Sequence, residues 1–170
     1  MYINTDDIKA WCYEHELHHA CPKKQVMKIH EEIGELSGAL LKHDRLSIID
    51  AIGDVFIAHV VLSEQIDLEI EERVIDFDNH FYNTYDDVSS FMVEVLYPKI
   101  ENLTFAVTMP NSYGKVVKDK HINDIIVALQ FLARLIGLDF KTCVEEAYNE
   151  IKGRSKERVN RGVLTIDYNL

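Results

Sequence analysis

The chain has 170 residues, with 29 acidic against 18 basic side chains and a formal charge of −11. That length favours one domain, and 47% hydrophobic residues can fill a core, which excludes global disorder. The negative balance argues against a protein that coats duplex DNA or an anionic membrane, because either needs a broad positive field. With 7 Gly and 3 Pro, turn formers are scarce, so long helices are favoured over many short strands. Cys12, Cys21 and Cys143 cannot all pair within one chain and show no CxxC spacing, which reads as free thiols in a reduced compartment. Residues 1–10 carry Asp6 and Asp7 and lack an apolar signal core, and no stretch approaches the roughly 20 apolar residues of a membrane span. The expectation is a cytoplasmic, soluble protein.

Thr5 before Asp6 and Asp7 reads as an N-cap, and Ile8, Trp11, Cys12 and His15 follow at helical spacing to about Leu17, ahead of Pro22. From Lys23 to His43, Val26, Ile29, Ile33, Leu36 and Leu40 step by three and four, giving an amphipathic second helix. Ser47 is the expected cap of a third, central helix to about Gln65, apolar nearly all round from Val55 to Leu62 apart from His59. An insertion follows, roughly 67–118, with Val88, Phe91, Met92, Val95 and Leu96 at helical spacing, then Pro98 and a strand-like Leu103–Val107. Ile122 to Ile136 is helical and ends at Gly137, and Asp139 caps a last helix that ends at Gly153. A tail from Arg154 carries a short extended piece around Val163–Ile166. The expected fold is all-α, a single domain of four main helices with an inserted helical segment.

Chemistry gathers on helices two and three. At about 100° per residue, Glu32 and Glu35 lie about 60° apart on one flank of the apolar stripe, with Glu31 nearly opposite it. Asp50 and Asp54 lie about 40° apart, in line with Ile57 and Val61 on a stripe that is otherwise buried. If the two helices form an antiparallel hairpin, these carboxylates face one another and repel, a conflict that Mg²⁺ or Mn²⁺ with substrate phosphate oxygens resolves. Taken singly, each acid is also what a solvated helix face carries, and Ser47 with Asp50 resembles a capping box. Lys152, Arg154, Lys156, Arg158 and Arg161 form a basic run that suits phosphates or, equally, a solvated tail. His15, Glu16 and His19 match HExxH, a zinc-protease pattern, although the match falls at a helix end before Pro22. His59, among Ile57, Val60 and Val61, reads as a hydrogen-bonded core histidine.

The segments Lys28-Ile29-His30-Glu31-Glu32-Ile33-Gly34-Glu35-Leu36 and Asp50-Ala51-Ile52-Gly53-Asp54-Val55 resemble the EExxE and ExxD signatures of the MazG-like all-α nucleoside triphosphate pyrophosphohydrolases. Ala147 to Arg154, then Gly162-Val163-Leu164, are similar to the ending of phage and bacterial members. With Trp11 and Glu14 in helix one, the resemblance covers the chain outside 67–118. It implies Glu32, Glu35 and Asp54 as metal ligands and Glu31 beside them as a water-orienting base, with Glu31 and Glu32 as the catalytic pair. The family's ExxD glutamate falls on Ala51, and Asp50, on the same face, is the candidate replacement. Lys28, Asn149, Lys152 and Arg154 would contact substrate. The implied reaction is Mg²⁺-dependent hydrolysis of a nucleoside triphosphate to monophosphate and pyrophosphate, by a homodimer or homotetramer with no stable nucleic-acid or membrane partner. Two other classes stay open: a catalytically weakened nucleotide-binding or interaction protein with a partner-binding arm at Tyr85–Val107, and a zinc protease through His15, Glu16 and His19.

Overall fold

The computed structural model describes residues 5–71, 75, 84–109, 114–155 and 159. Among them the fold is all-helical, without a strand. Helix α1 (Asp6–Glu14) opens with Asp6 and Asp7 in its first turn, where acids offset the positive helix end, and buries Ile8, Trp11 and Cys12. It stops three residues earlier than its spacing predicts, because Glu16 takes a left-handed conformation (φ 59°) and the chain tightens into a 3₁₀ turn, Leu17–His19.

Helix α2 (Pro22–Lys42) starts on a proline, which lacks an N–H that would be unsatisfied there anyway. It buries Val26, Ile29, Ile33 and Leu36 as the periodicity predicts, and Gln25 and Glu32 with them. His43, left-handed at φ 53°, ends α2, and Asp44 begins α3 (Arg45–Ile66). Asp44 is the actual cap: its carboxylate accepts from the Ser47 backbone N–H at 3.3 Å and from the Ser47 hydroxyl at 2.8 Å, so Ser47 is a donor within the first turn. Every turn of α3 from Ile48 to Ser63 is buried, with α1, α2, α6 and α7 packed round it. By length and apolar composition α3 could cross a membrane, which corrects the expectation that no stretch comes close; 72% of its most apolar window is buried inside the bundle. A helix covered on all sides needs apolar residues on all sides, so the same composition arises without any lipid.

The described part of the insertion is helical throughout. Asp87 caps α4 (Val88–Phe91) by accepting from Ser90 N–H at 2.7 Å, a π-helical turn follows at Met92–Leu96, and α5 runs Tyr97–Thr108. Leu103–Val107, expected to be strand-like, lies inside α5, where Leu103, Ala106 and Val107 bury one helical face. Pro98 falls in the first turn of α5, directly after the π-turn, where the wider register absorbs the missing N–H and the ring. Phe91 packs on Phe131 of α6 (Lys115–Leu135) with ring centroids 5.0 Å apart, and the insertion shares one continuous hydrophobic core with the rest. Helix α6 therefore begins inside the span assigned to the insertion.

Gly137 ends α6 as expected: at φ 70° it lets Leu138 N–H reach back to Ala133 O at 2.8 Å. Asp139 then caps α7 (Phe140–Ile151), accepting from the Thr142 N–H at 2.9 Å. The glycine that matters most for helix packing is Gly53 on α3, since a Cβ there would lie 2.3 Å from the Cys143 carbonyl oxygen and 2.4 Å from the Ala147 Cβ. Only a hydrogen lets α7 settle this close. The extended piece expected at Val163–Ile166 lies outside the described residues.

Candidate functional site

Helices α2 and α3 form an antiparallel hairpin. The turn at His43 and Asp44 closes one end, and the Gln25 side-chain amide donates to the Ala58 carbonyl at 2.9 Å near the other. Helix α7 lies against α3 at Gly53, and α2, α3 and α7, with Trp11 of α1, border one cleft of about 460 Å³. One end of it is charged: Glu31, Glu32 and Glu35 come from α2, Asp50 and Asp54 from α3, and Glu150 from α7, with Lys28 and Arg154 beside them. The other end is largely apolar, with Trp11, Leu17, Ile57, Val61 and Ile151. An adjoining hollow of about 500 Å³, floored by Gly34, Gly38, Ala39 and Ala51, shares Glu31, Glu35 and Asp50 with the first.

Burial makes these carboxylates unusual. Glu32 is 5% exposed. Its Oε1 is 2.6 Å from Lys28 Nζ, while its Oε2 is buried with no hydrogen-bond partner. Desolvation raises its pKa, against the pull of Lys28. Asp54, half-buried, is pushed up to about 7, first by burial and then by the charges of Glu32 and Asp50, with Arg154 opposing. Asp50 is raised by burial and by Glu150. Lys28 is raised in turn: burial alone would lower it, but hydrogen bonds to Glu32 and Glu31 outweigh that. Such a cluster is biased toward protonation, and carboxylates raised by burial and like charge in one cleft mark a functional-site candidate.

The structure brings seven of the sequence-predicted residues to this cleft: Lys28, Glu31, Glu32, Glu35, Asp50, Asp54 and Arg154. Glu31 is peripheral, paired with Lys28 Nζ at 2.9 Å with its side chain 58% exposed. Asn149 and Lys152 do not line the cleft; they are exposed and bonded to each other through Lys152 Nζ and Asn149 Oδ1. Lys156, Arg158 and Arg161 lie outside the described residues. Sequence reasoning missed Glu150, which lines the cleft and pairs with Arg154 one helical turn later. The signal was present: Glu150 and Ile151 follow Ala147, which meets Gly53 of α3, by three and four residues, and Arg154 continues that spacing just past the end of α7.

The donor set suits a hard divalent cation in kind, being all carboxylate oxygens from two helices and a neighbouring third. Among the described residues, however, no three His, Cys, Asp or Glu side chains stand close enough together to grip a metal as they are. The HExxH match loses its geometry altogether. Helix α1 ends at Glu14, Glu16 is left-handed and His19 belongs to the 3₁₀ turn, so His15, Glu16 and His19 share no helix face. His15 is buried with Nδ1 2.9 Å from Trp11 O and Nε2 3.2 Å from Arg154 O, which ties the end of α1 to the end of α7.

No protein-family model matches the chain, and no solved structure matches it. Over 60 residues it is 37% identical to an uncharacterized 18.2 kDa protein of the rep-hol intergenic region of Haemophilus phage HP1 (strain HP1c1). That stretch is 35% of this chain and covers 37% of the phage protein, little more than a third of its length.

Proposed function

We propose that this protein is a Mg²⁺-dependent nucleoside triphosphate pyrophosphohydrolase of the MazG-like kind, splitting a (deoxy)nucleoside triphosphate into monophosphate and pyrophosphate. The observation that carries this reading is the convergence of Glu32, Glu35, Asp50 and Asp54 from the α2–α3 hairpin on one cleft that also receives Lys28 and Arg154. Carboxylates that burial drives toward protonation, one with a buried oxygen lacking any partner, suit a cation; two basic groups at their edge suit the phosphates that come with it.

Mg²⁺ (or Mn²⁺) held by Glu32, Glu35, Asp50 and Asp54 would supply Lewis-acid stabilisation of charge on the phosphate oxygens. The chain's own residues do the rest. Glu31, at the rim, serves in this reading as the base that orients the attacking water and takes its proton. Arg154 presents a planar guanidinium fork and Lys28 a point charge to the polyphosphate, holding it in line and stabilising pyrophosphate as it departs. The apolar end, closed by Trp11, Leu17 and Ile151, accepts the nucleoside and excludes water. The remaining parts of the proposal are a four-helix core of this family assembled as a homodimer or homotetramer, working in the cytoplasm, without a nucleic-acid or membrane partner.

Ala51 favours one competing reading. It is buried where the resemblance calls for a glutamate, which would leave a protein that binds nucleotide without turning it over. One experiment separates the two. Purified protein with Mg²⁺ is incubated with a panel of nucleoside triphosphates while pyrophosphate release and nucleotide binding are measured. Pyrophosphate from at least one nucleotide supports the enzyme, binding without release supports the sensor, and neither overturns both.

A further inference from the structure

Within the cleft, the two cations share an arrangement. Lys28 is held by Glu32, one turn away on α2, and Arg154, three residues past the end of α7, by Glu150 in its last turn. The two groups best suited to grip a polyphosphate are thus both engaged by acids of the same cleft. Glu150 reaches the cleft through Gly53, because the missing Cβ there lets the Cys143–Ala147 backbone close on α3 and carries the following turn to the acidic end. On α3, the position where a further carboxylate is expected holds the buried methyl group of Ala51, which borders the adjoining hollow and not this cleft.

We infer that Glu150 is a cation-binding carboxylate of this cleft, supplying from α7 what Ala51 cannot supply from α3, and that cation binding there releases Arg154 to take a substrate phosphate. The inference rests on the proposed reading of the cleft and adds an order of events to it. An independent observation says that the cleft awaits a ligand: Glu32 is almost wholly buried, yet its Oε2 has no partner. Six carboxylates against two cations leave the described cleft with excess negative charge, so a divalent ion is the ligand of matching sign. The Arg154–Glu150 pair has its glutamate side chain 57% exposed and its arginine on the segment that follows α7, the kind of solvent-exposed ion pair that contributes little. A doubly charged ion bound by Glu150 and its neighbours outcompetes it. Once freed, the guanidinium faces the cleft with both edges open for bidentate phosphate bonds. By linkage the effect is reciprocal: polyphosphate that draws Arg154 away from Glu150 must raise the affinity of the cleft for the cation.

The test uses the intact protein and two separate ligands. Mn²⁺ binding without nucleotide is followed by the loss of its free electron paramagnetic resonance signal, and pyrophosphate binding by calorimetry in the presence of a chelator. Glu150→Gln keeps shape and helix propensity but can no longer ligate as an anion or hold Arg154 by charge. Glu146→Gln, an exposed acid of the same helix that does not line the cleft, removes the same charge as a control. Relative to wild type, Glu150→Gln should weaken Mn²⁺ binding by about 10-fold or more and strengthen cation-free pyrophosphate binding about threefold, while Glu146→Gln does neither. Equal Mn²⁺ affinities in the two variants would overturn the ligand role. Weakened Mn²⁺ binding without any gain for pyrophosphate would overturn the exchange of Arg154. A wild-type protein that binds no Mn²⁺ removes the proposed function along with this inference, whereas Mn²⁺ binding and pyrophosphate release unaffected by Glu150→Gln remove the inference alone.

Discussion

Asp54 and His59 are five residues apart on α3, about 140° round the helix, and water is largely denied to both. They are treated in opposite ways. His59 is fully enclosed, its Nδ1–H donating to the Val55 carbonyl at 2.6 Å, and burial lowers its pKa to about 4, so it stays neutral. Asp54 faces a cleft of further acids, and burial raises its pKa to about 7. On the closed side of the helix backbone takes up one ring nitrogen, while Nε2 is buried without a hydrogen-bond partner; on the open side like charges are gathered, which costs stability and creates a place for a cation.

The two residues also bend the pH dependence of stability in opposite directions. The folded-state pKa of Asp54 lies above its unfolded value, so its contribution is intact below about pH 4 and is lost as pH rises through about 7. That of His59 lies below its unfolded value, so its contribution is intact above about pH 6.5 and is lost as pH falls toward 4.

The sharpest way to break this contrast is Asp54→Asn. Divalent-metal binding and pyrophosphate release should fall by about 10³-fold or more, while stability at pH 7.5 without metal rises by about 2 kcal/mol. Calorimetry and urea unfolding read the two halves, and unchanged Mg²⁺ affinity would make Asp54 a structural acid. Arg154→Ala, on the same open side, should lower kcat/KM by about 10²-fold at both low and high ionic strength and preserve or strengthen nucleotide-free metal binding. A small effect confined to low salt, measured by steady-state kinetics, would return Arg154 to a solvated surface role.

His59→Leu addresses the closed side. Stability at pH 7 should move by less than about 1 kcal/mol, because the Val55 carbonyl keeps its place in the helix ladder. The decline between pH 6.5 and 4 should lose about 2 kcal/mol of its depth in urea titrations. An unchanged acid limb would assign that decline to other groups. Gly53→Ala tests what holds the two sides in place. The new methyl meets the Cys143 carbonyl, so α7 must shift, with an expected cost of about 1–3 kcal/mol by chemical denaturation.

Much of this molecule was legible because local rules and tertiary packing agree. The three-and-four stepping of α2, the Asp139 cap and the stop at Gly137 are all recovered. Glu32, Glu35, Asp50 and Asp54 were found from helical angles alone, since a carboxylate in line with Ile57 and Val61 has to face something. Sequence failed where context decides. The β-branched and aromatic character of Leu103–Val107 suggested a strand, but α6 offers a flat apolar wall for one helical face, and the π-turn before Pro98 keeps the helix going. Glu32 was placed on a flank of its stripe and is among the most buried polar groups, because Lys28 beside it gives one oxygen a partner. Glu150 was passed over in favour of Asn149 and Lys152. Which side of α7 meets α3 is fixed by the contact at Gly53, about a hundred residues earlier in the chain.

That long separation in sequence has a consequence for how the chain acquires its shape. The hairpin of α2 and α3 is a local unit joined by a tight turn and can form early, but it leaves α3 apolar where α6 and α7 will later pack. During synthesis the hairpin therefore emerges as a sticky species in which α3 carries the row of acids around Asp54 beside its apolar faces. Like-charge repulsion along that row keeps two such nascent hairpins from associating through it and leaves the bare apolar flank as the surface at risk of aggregation until the C-terminal helices arrive. The acids that would grip a metal in the finished protein thus also serve as gatekeepers for the unfinished one.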